Sequence, residues 1–371
     1  MQMEQELTQM RTGLQSAYRS QMQTRMQLRM QTRQATKIPP YLRKCLKPQS
    51  EDDEENIHAK VSQLMNELNK EDAPYKLNVA SRLYGEKTFK FLKDFLGDIE
   101  KYYGAELGSV DFKTKAEEAR VTINGWVEEK TQGNIKDILT EGMVDDSTRL
   151  VLVNAIFFKG LWRYKFKMEF TEDDQFRINK NDTKPVKMMR QRTRLPHRDI
   201  PENKIKVLEM PYKNEDLSMI ILLPNDIEDD TTGLEKLEKD LTPEKFVDWT
   251  QPEMMILDEV DVKLPRFKME EKYELNVVLK EMGMPDAFDT SRSDFIRMSP
   301  VNNLVLSEAV HKAYVAVDEE GTEAAAATAA VVSERSSLIL YNFFADHPFL
   351  FFIRHNHSKI VLFSGRYCSP E

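Results

Sequence analysis

A chain of 371 residues, 40% hydrophobic and 31% charged, has ample material for a core, and its 13 Gly and 16 Pro leave little for linkers that would divide it. The net charge of −9 resolves into +7 over residues 1–50 and −16 over the rest, a body too acidic to hold a phosphate backbone, so no nucleic-acid partner is expected. Two cysteines, Cys45 and Cys368, argue against a disulfide framework or structural zinc site, and no apolar run is long enough for a membrane span or a signal-peptide core.

Residues 1–50 stand apart, with ten Gln, six Met and no Phe, Trp or Val. Met22, Met26 and Met30 recur at helical spacing beside Arg25, Arg29 and Arg33, which in a helix would face a membrane surface or an acidic partner. The preferred expectation is a poorly ordered extension, because too little bulky apolar surface is present to offset ordering entropy. The acidic run 51–55 reads as a solvated loop, and residues 51–371 as one domain.

Folded-domain patterns begin near Asn56. Phe89, Leu92, Phe95, Leu96 and Ile99 fall at helical spacing, and a second helix is expected around Trp126 and Val127. The run 150–158, apolar except for Asn154, predicts a strand buried on both faces, and 217–223, stopped by Pro224, predicts another. Val260, Val262 and Leu264 alternate with Asp261 and Lys263, the pattern of a half-buried strand. Runs 349–353 and 360–363 flank a His-Asn-His-Ser turn and predict a hairpin. Helices early, strands late and no βα alternation indicate an α+β fold.

The sequence has no phosphate loop, dinucleotide turn, nucleophile elbow or HExxH, and no enzyme is expected. His355 and His357 lack a third local ligand, and Cys368 reads as a packed thiol, so neither a metal nor a cofactor is expected. The unusual segment is 318–337, Asp-Glu-Glu-Gly-Thr-Glu-Ala-Ala-Ala-Ala-Thr-Ala-Ala-Val-Val-Ser-Glu-Arg-Ser-Ser. Alanine content favours a helix. The other reading is a mobile loop able to become a strand, with Gly321 as a hinge and small side chains crossing a packed sheet without overpacking.

This loop, the preceding Leu304-Val-Leu-Ser-Glu-Ala-Val-His311 and the later His347-Pro-Phe-Leu-Phe-Phe-Ile-Arg354 resemble the serpin family, in its intracellular ovalbumin-type branch. Further motifs follow in order. They include Asn124-Gly-Trp126, Leu152-Val-Asn154-Ala-Ile-Phe-Phe-Lys-Gly160-Leu-Trp162, Met188-Met189, Leu208-Glu-Met-Pro211-Tyr212, Leu264-Pro-Arg-Phe267 and Gly283-Met-Pro-Asp-Ala-Phe288. The resemblance spans about Asn56 to Pro370.

It implies three β-sheets, a helical half and an exposed reactive-centre loop. The implied function is suicide inhibition of a serine protease through a covalent acyl-enzyme, followed by insertion of the cut loop into the main sheet. Glu319, Glu320, Gly321, Thr322, Glu323 and the small residues Ala324, Ala325, Ala326 and Ala327 match the loop hinge. Counting along the loop puts the reactive bond at Arg335-Ser336, which suits a trypsin-like protease. Val331 and Val332 leave an elastase-like enzyme as an alternative. Asn154 and His311 match a polar pair at the opening point of the main sheet, and Trp162 the place where the loop first enters. A cytoplasmic monomer is expected, with release to the extracellular space without a signal peptide as a further possibility. One departure stands out: residues 1–50 lack the family's first helices and first strand. That keeps open a non-inhibitory, serpin-like alternative, cleaved as a substrate or acting as an interaction module.

Overall fold

The computed structural model describes residues 75–103, 106–301, 303–320 and 340–370, with 62, 63 and 66. The expectations for residues 1–50, for 321–327 and for Val331, Val332, Arg335 and Ser336 lie outside the described residues. In chain order the elements are β1 (Tyr75–Glu86), α1 (Lys93–Tyr103), β2 (Leu107–Val110), α2 (Phe112–Lys130), β3 (Leu150–Gly160), β4 (Glu172–Arg177), β5 (Thr183–Ile200), β6 (Ile205–Pro211) and β7 (Leu217–Pro224). Then come α3 (Glu235–Asp240), α4 (Pro243–Trp249), β8 (Ile256–Pro265), β9 (Phe267–Glu274), α5 (Asn276–Glu281), β10 (Leu306–Val317), β11 (Tyr341–Phe344), β12 (Phe349–His355) and β13 (Val361–Tyr367). The described residues group into two compact units, one holding those up to 158 with 268–315, the other those of 159–267 and from 316 onward.

The first unit is built on a five-stranded sheet in the order β2-β1-β3-β10-β9. β3 and β10 pair in parallel, with Leu150 opposite Leu306, Asn154 opposite His311 and Phe158 opposite Val315. The apolar run of β3 has two destinations because successive side chains alternate across the sheet. Val151, Val153, Ala155 and Phe157 pack with Phe112, Ala119, Ile123 and Val127 of α2. Leu150 and Leu152 join a second cluster with Leu304, Leu306 and Ala309.

Both ends of α2 are satisfied locally. Asp111 accepts from the Thr114 N–H at 3.0 Å, and the fully buried Glu86 accepts from the N–H groups of Phe112 (2.7 Å) and Lys113 (3.2 Å). Beyond the far end, Gly133 takes a φ of +79° as the chain turns away. Asn124 explains its place in the sequence pattern: its side chain donates to the Leu139 carbonyl and accepts from the Leu139 N–H, both at 2.9 Å. The helix expected from Phe89 begins later, at Lys93, because Phe89 and Phe91 pack in the second cluster and the Leu92 N–H donates to the Met298 carbonyl at 2.9 Å.

The second unit is built on eight strands, β11-β8-β5-β6-β7-β12-β13, with β4 pairing β5. β7 and β12 are buried along their whole length, as their apolar runs require. β12 and β13 form the expected hairpin, in which Gly365 lies opposite Phe351. A β-carbon there would collide with that ring, so close approach explains the glycine. Counted by hydrogen bonding, the described strands form two sheets where three were expected. The 18 residues of β5 run continuously from pairing with β4 and β8 into pairing with β6, joining two strand groups. Asp261, expected on a solvent face, is only 2% exposed and lies under Arg190 and Arg192 of the neighbouring strand.

Candidate functional site

The unusual segment leaves the end of β10 through Asp318, Glu319 and Glu320, and the structure shows what holds that exit. The carbonyl of Glu319 accepts from the Phe166 N–H (2.9 Å), and that of Glu320 from the Trp162 N–H at 3.4 Å. The Trp162 indole N–H donates to the Asp318 carbonyl at 2.9 Å. These main-chain groups bond outward to a neighbouring strand end, where a helical turn would bond them to one another.

Trp162 is buried and stacked on Tyr212, with ring centroids 4.5 Å apart and 8° between planes; Phe166 meets its edge at 6.4 Å. The Tyr212 phenol is pushed well above its ordinary value by burial, so it stays neutral. Two ion pairs flank the exit: Lys159 to Asp318 at 3.2 Å, and Arg266 to Glu319 at 3.6 Å. The Glu319 side chain is 3% exposed, and its Oε1 has no hydrogen-bond partner. The carboxylate is therefore held by charge at a distance, a weakly satisfied buried group at the base of a segment expected to move.

In the other unit, the in-register pair on β3 and β10 brings Asn154 and His311 together. The His311 Nδ1–H donates to Asn154 Oδ1 at 2.7 Å, and the His311 ring lies parallel to Tyr273 at 6.1 Å. This partner explains a polar residue inside an apolar run.

Where the chain is next described, β11 pairs in parallel with β8, Tyr341 standing opposite Val260. Tyr341 stacks on His197 at 3.7 Å and donates its hydroxyl to Asp199 at 2.5 Å. Burial, then the Asp199 carboxylate, raise the Tyr341 phenol. Both ring nitrogens of His197 are buried without a hydrogen-bond partner, and burial lowers its pKa.

The structure thus places Trp162 against Asp318–Glu320 and joins Asn154 to His311. Sequence reasoning assigned no role to Tyr212, Arg266, Lys159, Phe166, Tyr341 or His197. Tyr212 and Arg266 stand inside quoted motifs, and only their companions in space reveal what they do. Among the described residues no group of three or more His, Cys, Asp or Glu is placed to hold a metal ion, and no helix is long and apolar enough to cross a membrane.

Comparison with known proteins agrees with this arrangement. A family model described as serpin (serine protease inhibitor) matches residues 1–370. The leukocyte elastase inhibitor of Equus caballus is 53% identical over 316 residues, covering 85% of this chain and 83% of the relative. That of Homo sapiens is 52% identical with the same coverage. Uncleaved ovalbumin superposes with a TM-score of 0.77 at 38% identity, covering 85% of this chain and 83% of the other. A loop-inserted, cleaved ovalbumin mutant does so with 0.74 at 38% identity, covering 85% and 80%. With its motifs, mixed sheets and loop exit accounted for together, the chain belongs to the serpin family of serine protease inhibitors.

Proposed function

We propose that the chain is a suicide-substrate inhibitor of trypsin-like serine proteases with its reactive bond at Arg335-Ser336. The observation that carries this reading is the parallel β3–β10 pair with the 318–320 exit bonded beside its end. A segment that follows β10 and folds back between β10 and β3 runs antiparallel to both. It replaces one parallel ladder with two antiparallel ones, the slightly more stable kind. Residues 321–335, extended, reach about 50 Å, ample for the roughly 36 Å of the 11-residue β3. The side chains carried in at 324–327 are methyl groups, which a packed sheet accepts with little displacement.

The chemistry is acyl transfer. Arg335 fills an acidic primary pocket, and the protease serine oxygen attacks its carbonyl carbon. The bond to the Ser336 nitrogen breaks, that nitrogen leaves as an amine after taking a proton from the protease's general acid, and an ester to Arg335 remains. Insertion then drags the tethered protease and distorts its oxyanion hole, and loss of that stabilisation stops hydrolysis of the ester. Asn154 and His311 must part as the strand enters, and Trp162 marks the point of entry. The loop-inserted ovalbumin mutant supports such a conversion in a fold of this kind. The named relatives inhibit leukocyte elastase, so cleavage at Val331 or Val332 by an elastase-like enzyme is the competing assignment.

A second reading, a serpin cleaved as plain substrate, draws on one observation. Leu152 and Asn154 of β3 and His311, Lys312 and Ala313 of β10 are only half-buried at the middle of the main sheet. Incubation with trypsin separates the readings. An SDS-stable complex that disappears in Arg335→Ala supports inhibition by a trypsin-like route, and a complex that survives the change moves the bond elsewhere. Clean cleavage without a complex leaves the substrate reading.

A further inference from the structure

The edge of the main sheet carries two lysines that the loop chemistry does not use. β9 is an outer strand of the five and lies beside β10. The Leu275 N–H donates to the Ala309 carbonyl at 2.7 Å, and the Tyr273 ring lies parallel to that of His311. These two contacts set the strands antiparallel with Lys272 opposite Lys312, their side chains on one face. Like charges so placed destabilise a strand pair unless each finds a partner. Lys312 has partners: its ammonium pairs with Glu270 at 2.5 Å and donates to the Lys136 carbonyl at 2.7 Å. Lys272 makes no ion pair among the described residues, and its ammonium donates to the Met143 thioether at 3.6 Å, a weak acceptor.

These surroundings favour the free amine. Lys272 is half-buried, and burial is the largest influence on its ammonium, lowering the pKa from the ordinary lysine value. Glu274 and Glu308 act against this and the charge of Lys312 acts with it. Glu308 is a poor counter-charge, because burial pushes its own carboxyl up towards the neutral form. An amine desolvated beside a second cation is the setting of a nucleophilic lysine. Met143 packs, with Tyr314, against the cluster beneath α2, so apolar surface borders the nitrogen.

We propose that Lys272 is a covalent capture site for uncharged aldehydes with a short apolar chain, which it holds as an imine. The nitrogen lone pair adds to the carbonyl carbon, and a proton shed by the nitrogen passes to the oxygen to give a carbinolamine. The oxygen then takes a second proton from solvent, the carbon–oxygen bond breaks and water leaves. The remaining N–H proton returns to solvent as the imine forms, and nothing is oxidised or reduced. The imine is a far weaker base than the amine, so the opposition of charge with Lys312 is relieved. An uncharged carbonyl suits the site better than an anionic acyl donor, which Glu274 and Glu308 on the same face repel.

The test uses the full chain with butanal and cyanoborohydride, whose hydride reduces the imine to a stable secondary amine, followed by peptide mapping of the lysines. At pH 7.5 roughly one ordinary lysine in a thousand is unprotonated, and lowering the pKa by one raises that fraction about tenfold. Lys272 is expected to label at least about tenfold faster than Lys268, which is exposed on the same strand, and its rate levels off at a lower pH. Lys312→Met removes the opposing charge and slows labelling of Lys272 about threefold, whereas Lys312→Arg keeps that charge and leaves the rate near the parent's. Thermal melts confirm that both variants fold. Labelling of Lys272 no faster than that of Lys268 overturns the proposal, as does an equal rate in the two Lys312 variants. A Lys272 that acetyl phosphate modifies and butanal does not overturns it too. Labelling needs no protease, so its outcome is separate from whether the chain traps one.

Discussion

Replacing Trp162 with Ala removes the centre of the arrangement at the loop exit. The indole is buried, stacked face to face on Tyr212, touched at its edge by Phe166, and bonded through its N–H to the Asp318 carbonyl. Truncating a buried tryptophan costs about 3–5 kcal/mol, a large fraction of a total stability of about 5–15 kcal/mol. For a domain of this size each kcal/mol lowers the melting temperature by about 2–3 °C, so a fall of about 6–15 °C is expected by circular dichroism. Trp162→Phe keeps an aromatic face on Tyr212 and loses the bond to Asp318, so its share of the loss is about 1–2 kcal/mol. A double-mutant cycle with Tyr212→Ala isolates the stack, with a coupling of about 0.5–1.5 kcal/mol. A Trp162→Ala protein that melts within about 2 °C of the parent, or additive effects in the cycle, would refute the idea that this stack anchors the exit.

Three further outcomes are expected. His311→Ala and Asn154→Ala each cost about 1 kcal/mol in urea unfolding, and the double variant costs less than their sum, because one hydrogen bond is lost in all three. Glu86→Ala costs about 2–3 kcal/mol, since it strips two N–H groups at the start of α2 of a charged acceptor, and Glu86→Gln recovers part of this. A Glu86→Ala protein as stable as the parent would show that water replaces the carboxylate there. His197 contributes a pH dependence with a defined sign. Burial lowers its folded-state pKa below the unfolded value near 6.5, so the unfolded chain binds the extra proton first. Stability is complete above that value and declines as pH falls through it towards the lower folded-state pKa. His197→Phe, which keeps the ring against Tyr341, flattens the stability profile below pH 6.5, and an unchanged slope would assign it to another group.

Legibility in the sequence followed the range of the interactions. The strands at 150–158 and 217–223 and the 349–363 hairpin were readable because burial writes itself into consecutive apolar residues. The alternation over 260–264 located β8 but misplaced Asp261, because its burial depends on two arginines about 70 positions earlier that no local period announces. The same limit applies at the site. Asn154 was visible as a polar intruder, while its partner His311, 157 residues away, entered through family resemblance. Arg266 and Tyr212, though within recognised motifs, acquire a role only through Glu319 and Trp162, again distant in sequence. The joining of two strand groups by β5 was hidden for another reason: strand length shows in the sequence, but the change of partner along it does not.

The burial of β12 governs what a single cut can release. The piece from Ser336 to the end of the chain contains β11, β12 and β13, and β12 lies between β7 and β13 with every residue buried. Hydrolysis at Arg335-Ser336 therefore yields two polypeptides that remain one particle, since separation would bring Phe349, Phe351 and Phe352 into water. Size-exclusion chromatography would see no change on nicking, and only a denaturant would part the small fragment from the large. If Arg335-Ser336 is the reactive bond, as proposed, a protease joined to Arg335 would be carried by the large fragment, while the small one would stay in the sheet that holds β12.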